Sequence, residues 1–225
     1  MDGILLTDKP PGWTSHDVVA KVRSVLKQET GQKLKVGHTG TLDPMATGLL
    51  ILVLGRYTKQ AGEFSKLDKV YQAEITLGAT SATGDKEGEL TKVSDEQPSE
   101  TAVEAVLSHF KGEILQKPHK YSAVKVNGQR AYKAARAGKT VEIEPRKVKI
   151  YEITDVMYEY PKLSFTAKVS SGTYIRSLAE DIGASLGTGA YLSALRRTAV
   201  GGFSVRNASK PEDLDYEAAA KHLVI

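Results

Sequence analysis

The chain has 225 residues, 40% of them apolar and 26% charged, enough for a full hydrophobic core and ordinary for a soluble globular protein. It contains no cysteine, which excludes disulfides and thiolate metal sites and fits a reducing compartment. The first residues carry no basic segment ahead of an apolar core, and the longest apolar run, residues 49–54, is far too short to span a bilayer, so the cytoplasm is the expected location and no membrane partner is expected.

Taken in order, residues 3–7 read as a strand closed by Asp8-Lys9-Pro10-Pro11-Gly12, a strongly marked turn. Thr14 or Ser15 caps a helix to about residue 27, with Val18, Val19, Val22, Val25 and Leu26 on one face. After a polar connector at 29–33 comes Gly37-His38-Thr39-Gly40-Thr41-Leu42-Asp43-Pro44-Met45-Ala46-Thr47-Gly48, a glycine-rich loop between apolar stretches. Asp43 is the only acid between Thr30 and Gly62, and the proline behind it keeps it out of helical geometry. Such a residue is a candidate reactive carboxylate, with an Asx-turn as the plain structural alternative.

The strand 49–54 follows, then a short helix at 58–64 and an alternating strand at 70–77 that carries Tyr71. Residues 84–88 turn the chain back into 90–93, and Ser99 caps a helix carrying Val103, Val106, Leu107 and Phe110. Asn127-Gly128 marks a hairpin, and a short basic helix is expected over 131–137. Strands at 147–158 and 163–170 lead to a helix that opens after Gly172-Thr173 and ends before Gly187, with Ile175, Leu178, Ile182 and Leu186 buried. Strands at 190–200 and 203–205 and a last helix at 211–222 complete the chain, which ends on an apolar trio with nothing after it to cover it. Strands and helices mix without regular alternation, so the fold class is α+β around a mixed, largely antiparallel sheet.

The net charge is only +4, but the distribution is uneven. Between Lys117 and Lys149 ten bases, among them Lys125, Arg130 and Lys133, face only Glu142 and Glu144. A basic segment on a mildly acidic body points to a polyanion, with nucleic acid favoured over a solvated surface. The glycine loop is neither a phosphate-binding loop of the Gly-Lys-Ser/Thr type nor a dinucleotide fingerprint. The five histidines, His16, His38, His109, His119 and His222, lack metal-ligand spacing. Metal-free chemistry on a carboxylate is what remains for an enzyme. Arg176 falls in the first turn of its helix, against the helix dipole, where an arginine is more comfortable beside an anion, a carboxylate or a phosphate, with a plain surface arginine as the alternative.

Three stretches then take on a joint meaning. The loop 37–48 resembles the signature loop of the TruB family of tRNA pseudouridine synthases, and the likeness extends to residues 8–15, 69–71, 121–128 and 172–176 in the family's order. The resemblance implies a pseudouridine synthase fold over 1–225, isomerisation of uridine 55 in the tRNA T-loop, no cofactor and no metal, and a C-terminal PUA domain, which is expected to be absent after Ile225. It implies that Asp43 is the catalytic aspartate, attacking either ribose C1′ or base C6. Tyr71 stacks on the target base and is implicated in loss of the C5 proton, and Arg176 pairs with the aspartate. His38 wedges into the T-loop, Lys9 supports the active-site loop, and Tyr174, in the Arg176 motif, is an RNA-binding residue. The segment 121–141 corresponds to a thumb that closes on RNA, with Lys125, Arg130 and Lys133 as phosphate contacts. The family has paired prolines ahead of Tyr-Ser-Ala, and here the run is Gln116-Lys117-Pro118-His119-Lys120-Tyr121, with one proline lost, a change expected to loosen the base of the thumb without touching the chemistry. A monomer is expected. The alternatives are a guide-dependent synthase of ribosomal RNA and an RNA-refolding protein whose catalysis is incidental.

Overall fold

A computed structural model describes residues 1–119, 121–122, 124–126, 128–131, 134 and 143–224. In chain order the elements are β1 (Gly3–Lys9), α1 (Ser15–Thr30), β2 (Val36–His38), β3 (Thr47–Leu54), a 3₁₀ turn (Gly55–Gln60), α2 (Ala61–Ser65) and β4 (Lys69–Leu77). They continue with β5 (Ala79–Ser81), β6 (Leu90–Lys92), α3 (Glu100–His109), β7 (Gly112–Gln116), β8 (Lys125–Val126), β9 (Gln129–Arg130), β10 (Arg146–Glu159) and β11 (Lys162–Val169). The last are α4 (Ile175–Ser185), β12 (Ala190–Val200), β13 (Phe203–Ser204), α5 (Tyr216–Lys221) and β14 (Leu223–Val224). The chain divides into two compact units, one of residues 1–71 and 195–225 and one of residues 72–194.

In the first unit the strand order is β14-β1-β3-β12, with β2 laid on β3 and β13 on β12. Strand β1 runs antiparallel to β3, whereas β12 meets β3 in parallel, Arg197 opposite Gly48. The unbroken apolar run in β3 has a simple cause, because both of its faces are covered. Leu50, Leu52 and Leu54 join Val18, Val19, Val22 and Leu26 of α1, while Leu49, Ile51 and Val53 join Ile4, Leu6 and Val200 on the other side. Helix α1 starts where its sequence says it should. Thr14 and Asp17 form a reciprocal capping box, worth about 1 kcal/mol.

In the second unit β4 is followed by β11, β10 and β7, and β5 and β6 form a separate hairpin. Helices α3 and α4 pack on each other, burying Val103, Leu107, Leu178 and Ile182. Ser99 caps α3 as expected, its hydroxyl accepting the Ala102 N–H at 3.2 Å. The Asn-Gly signal also holds, since Lys125 pairs with Arg130 across the β8–β9 hairpin.

Residues 112–116, which the sequence reading placed in no element, form β7, antiparallel to the first residues of β10. Two helix expectations need correction. The helix expected at 58–64 begins as a 3₁₀ turn at Gly55 and becomes α-helical only at Ala61. The helix expected at 211–222 is broken into a 3₁₀ turn, Pro211–Asp213, and α5. Leu214 turns to an extended conformation between them, which places its side chain, 3% exposed, in the core beneath α1. Of the terminal apolar trio, Leu223 pairs with Leu5 and packs on that same core. Most of the basic helix expected at 131–137 lies outside the described residues. Among the described residues no helix is long and apolar enough to cross a membrane.

Asp181, on α4, is pushed up to about 6 by burial, with the Glu180 charge acting in the same direction. Its folded state therefore holds a proton that the unfolded state releases between about pH 4 and 6, so the carboxylate lowers stability above that window. Asp181→Asn is expected to raise stability by about 1 kcal/mol near pH 7.5, after allowance for its partial exposure. Thermal unfolding should show this as a rise of about 2–4 °C that disappears as the pH falls to about 4.

Candidate active site

The loop 38–48 leaves β2 and returns as β3, and it is fastened from several sides within the first unit. Lys9, fully buried at the end of β1, donates Nζ–H bonds to the carbonyls of Pro10 at 2.9 Å, Trp13 at 2.6 Å and Pro44 at 3.2 Å. Pro44 directly follows Asp43, and its carbonyl also accepts the Gly12 N–H at 2.9 Å. An ammonium taken fully out of water must have its donors met, so carbonyls that meet them are held in place. The turn 8–12 and the Asp43 loop are thereby tied together.

Ser15, 2% exposed in the first turn of α1, clamps Leu42 on the other side of Asp43. Its Oγ accepts the Leu42 N–H at 2.9 Å and donates to the Leu42 carbonyl at 3.2 Å. The carbonyl of Asp43 itself accepts the Ala46 N–H at 3.0 Å, and the Thr39 N–H bonds the Ile51 carbonyl at 3.1 Å. Asp43 is half-buried and His38, opposite Leu52, ends β2 half-buried.

The base of the loop is held by Arg197, which is 2% exposed on β12. Its Nε donates to the Leu49 carbonyl at 2.7 Å and its Nη2 to the Gly40 carbonyl at 3.0 Å. Its own backbone lies so close to Gly48 (φ +103°) that a Cβ there would fall 2.2 Å from the Arg197 carbonyl oxygen. Only glycine fits this position. The neighbouring Arg196 points the other way and forks onto Asp8, with Nη1–Oδ1 at 3.0 Å and Nη2–Oδ2 at 2.7 Å. Consecutive arginines on a strand thus secure the Asp43 loop and the 8–12 turn separately.

Tyr71 lies on β4, 8% exposed, two residues after Lys69 and so on the same face of the strand. Lys69 donates to the carbonyls of Ser65, at 2.6 Å, and Leu67. Burial, helped by the charge of Arg197, pushes the Lys69 ammonium down to about 8.

Tyr174 and Arg176 belong to the second unit. Arg176, 7% exposed at the start of α4, lies against an anion, as its helix position leads one to expect. The carboxylate shown there is Asp85, 2% exposed, with Oδ2 at 3.5 Å from Nη1. The same guanidinium donates to the carbonyls of Thr83 at 3.0 Å and Tyr121 at 3.2 Å. Tyr174 packs against Val124, Ala131 and Ile143, residues of the basic segment. Of the three basic candidates, Lys125 and Arg130 sit in the β8–β9 hairpin, and Lys133 lies outside the described residues.

Asp85, Ser15, Lys69 and Arg197 were not singled out in the sequence. Asp85 sits in a Gly84–Gly88 turn, and its Oδ1 does accept the Glu87 N–H at 3.1 Å, so a turn residue hides a buried ion-pair partner. Ser15 was visible only as an alternative helix cap. The adjacent Arg196-Arg197 inside an otherwise apolar strand was the one available signal for the β12 anchors.

Residues 23–175 match the TruB family pseudouridylate synthase N-terminal domain, and residues 176–222 match the tRNA pseudouridylate synthase B C-terminal domain. The chain is 48% identical to tRNA pseudouridine synthase B of Thermobifida fusca, over 96% of this chain and 75% of that protein. It is 44% identical to the protein of the same name from Solibacter usitatus, over 99% of this chain and 75% of the other. Among solved structures, a chain of a Cbf5-Nop10-Gar1 complex superposes with a TM-score of 0.71 at 34% identity, covering 94% of this chain and 53% of that one. A chain from an H/ACA RNP bound to a substrate RNA containing 2′-deoxyuridine gives 0.69 at 31%, covering 94% and 52%. The chain therefore spans about half the length of these solved chains and three quarters of the two bacterial proteins. The architecture is the pseudouridine synthase fold, and the chain belongs to the TruB family of pseudouridylate synthases.

Proposed function

We propose that this protein is a tRNA pseudouridine synthase that isomerises uridine 55 of the T-loop, with Asp43 as the catalytic carboxylate. The observation that carries this reading is the fixed loop. Lys9 holds Pro44 and Ser15 holds Leu42, so the residues on both sides of Asp43 are tied to buried donors and acceptors. A carboxylate on a pre-set backbone spends little conformational entropy when it meets its target. Identity to the two bacterial tRNA enzymes is higher than to the solved Cbf5 and H/ACA chains, which favours tRNA over a guided RNA as the substrate.

In the reaction the N1–C1′ glycosidic bond breaks, the base turns, and a C5–C1′ bond forms. The C5 proton is lost and N1 gains one, so atoms and electrons balance as an isomerisation. The uridine inside a folded T-loop must first leave its stack, and His38, five residues before Asp43, is the residue assigned to open it. Tyr71 supplies a ring for stacking on the base and is assigned the departure of the C5 proton. Arg176 is assigned to the catalytic aspartate, Tyr174 to the RNA, and the segment 121–141 to a thumb whose Lys125, Arg130 and Lys133 meet phosphates. On this reading residues 1–225 act as the catalytic part, in the cytoplasm and as a monomer.

Three outcomes are expected. Asp43→Asn should release no tritium from tRNA labelled at uridine C5 while binding that tRNA within about twofold of wild type; full release would remove Asp43 from the chemistry. Ser15→Ala takes a donor and an acceptor away from buried Leu42, which should cost about 1–3 kcal/mol by denaturant titration and slow single-turnover conversion with little change in tRNA affinity. Replacing Lys125, Arg130 and Lys133 together with alanine should weaken binding and flatten the slope of log K against log salt by up to about 2–3, read by filter binding at several salt concentrations.

A further inference from the structure

The sequence marks Pro118-His119 as a departure from a paired proline, expected to loosen the root of the basic segment. The structure shows side-chain bonds that tie this root to the N-cap and the first two turns of α4. Gln116, 1% exposed, accepts the Tyr174 N–H at 2.8 Å and donates to the Tyr174 carbonyl at 3.1 Å. Ser177 Oγ donates to the Lys117 carbonyl at 2.9 Å. Arg176 Nη2 donates to the Tyr121 carbonyl at 3.2 Å.

His119 completes the set. It is 9% exposed, and its Nε2 lies 3.4 Å from Oε1 of Glu180. Its Nδ1 accepts the Tyr121 N–H at 3.3 Å, and its ring stacks on that of Tyr121 with centroids 5.7 Å apart and planes 26° from parallel. Because a backbone N–H points at Nδ1, the proton of the neutral ring belongs on Nε2, facing the Glu180 carboxylate. Both polar ends of the ring are therefore used. The pair also covers Gly84, where a Cβ would lie 3.2 Å from His119 Nε2 and from Glu180 Oε1, and Gly84 precedes Asp85, the carboxylate beside Arg176.

These contacts close a circuit. Arg176 and Glu180 are four residues apart on α4 and so share a face, where each holds one end of the same short segment. Glu180 reaches His119, His119 reaches the N–H of Tyr121, and the carbonyl of Tyr121 reaches Arg176. We infer that His119 is a positioning residue: with Glu180 it fixes Tyr121, and through Tyr121 it sets the direction of the Arg176 guanidinium. Without His119 the clasp on the Tyr121 N–H is lost, and the carbonyl that Arg176 Nη2 meets is held less firmly. The inference rests on the reading of Arg176 as part of the uridine-isomerising site.

The test has one arm that does not need activity. Long-range ¹H–¹⁵N spectra of the intact chain, recorded where the ring is in its neutral form, should show His119 as the Nε2–H tautomer; the Nδ1–H tautomer overturns the clasp. The second arm compares single-turnover conversion and Kd for tRNA, with thermal unfolding as the check on folding. His119→Ala should slow conversion about tenfold with Kd within about twofold, the cost of a small misplacement near the reacting groups. His119→Asn, whose amide oxygen replaces Nδ1, should recover most of the rate, and His119→Gln, which replaces only the Nε2 end, should recover little. An unchanged rate in His119→Ala, a loss confined to Kd, or no rescue by asparagine overturns the inference. Absence of conversion by the wild type would instead sink the reading of the site, and the tautomer measurement would still decide the clasp.

Discussion

The structure around Asp43 depends on burying two cations, Lys9 at the end of β1 and Arg197 within β12. A buried ammonium or guanidinium is costly unless its donors are met, and here backbone carbonyls meet them. Those carbonyls, of Pro10, Trp13, Pro44, Gly40 and Leu49, belong to the turn after β1, the Asp43 loop and the start of β3. A requirement for solvation thus becomes a positional constraint on the loop. Removing either cation would leave several buried acceptors unmet, at a cost of about 1–3 kcal/mol for each such group.

This arrangement needs a rigid support, and β3 supplies it. A strand covered on both faces by α1 and by the α2 side of the core is among the most fixed parts of the first unit. The loop enters that strand through Gly48, where the Arg197 backbone leaves room for no side chain. Hence the residues that look permissive in the loop are constrained one by one. Asp8, bound by Arg196, repeats the device on the 8–12 turn. In the second unit the same logic applies to Arg176, whose guanidinium is shared between the Asp85 carboxylate and two backbone carbonyls.

Much of this was legible where local chemistry decides the outcome. The Thr14-Asp17 capping box, the apolar face of α1, the uniform apolar run of β3, the Ser99 cap and the Asn-Gly hairpin each declare themselves within a few residues. The failures share a cause, which is that distant residues decide. Strand β7 is short and its Leu115 is 70% exposed, so its pattern is weak until β10 pairs with it. The break at Leu214 follows from space beneath α1, and the cover of Leu223 follows from β1. Asp43 stood out as a lone acid in a glycine loop, but its supports did not. Arg197, 154 residues away in sequence, reads as one more strand residue until β12 is laid against β3.

The loop so fixed is proposed to serve the isomerisation of a single T-loop uridine. Its most direct measurement is tritium release by the wild-type chain from tRNA labelled at pyrimidine C5, compared with the same tRNA carrying cytidine in place of the T-loop uridine. Release approaching one equivalent is expected from the first and none from the second. Equal release from both, or no release from either, would contradict that role of the loop.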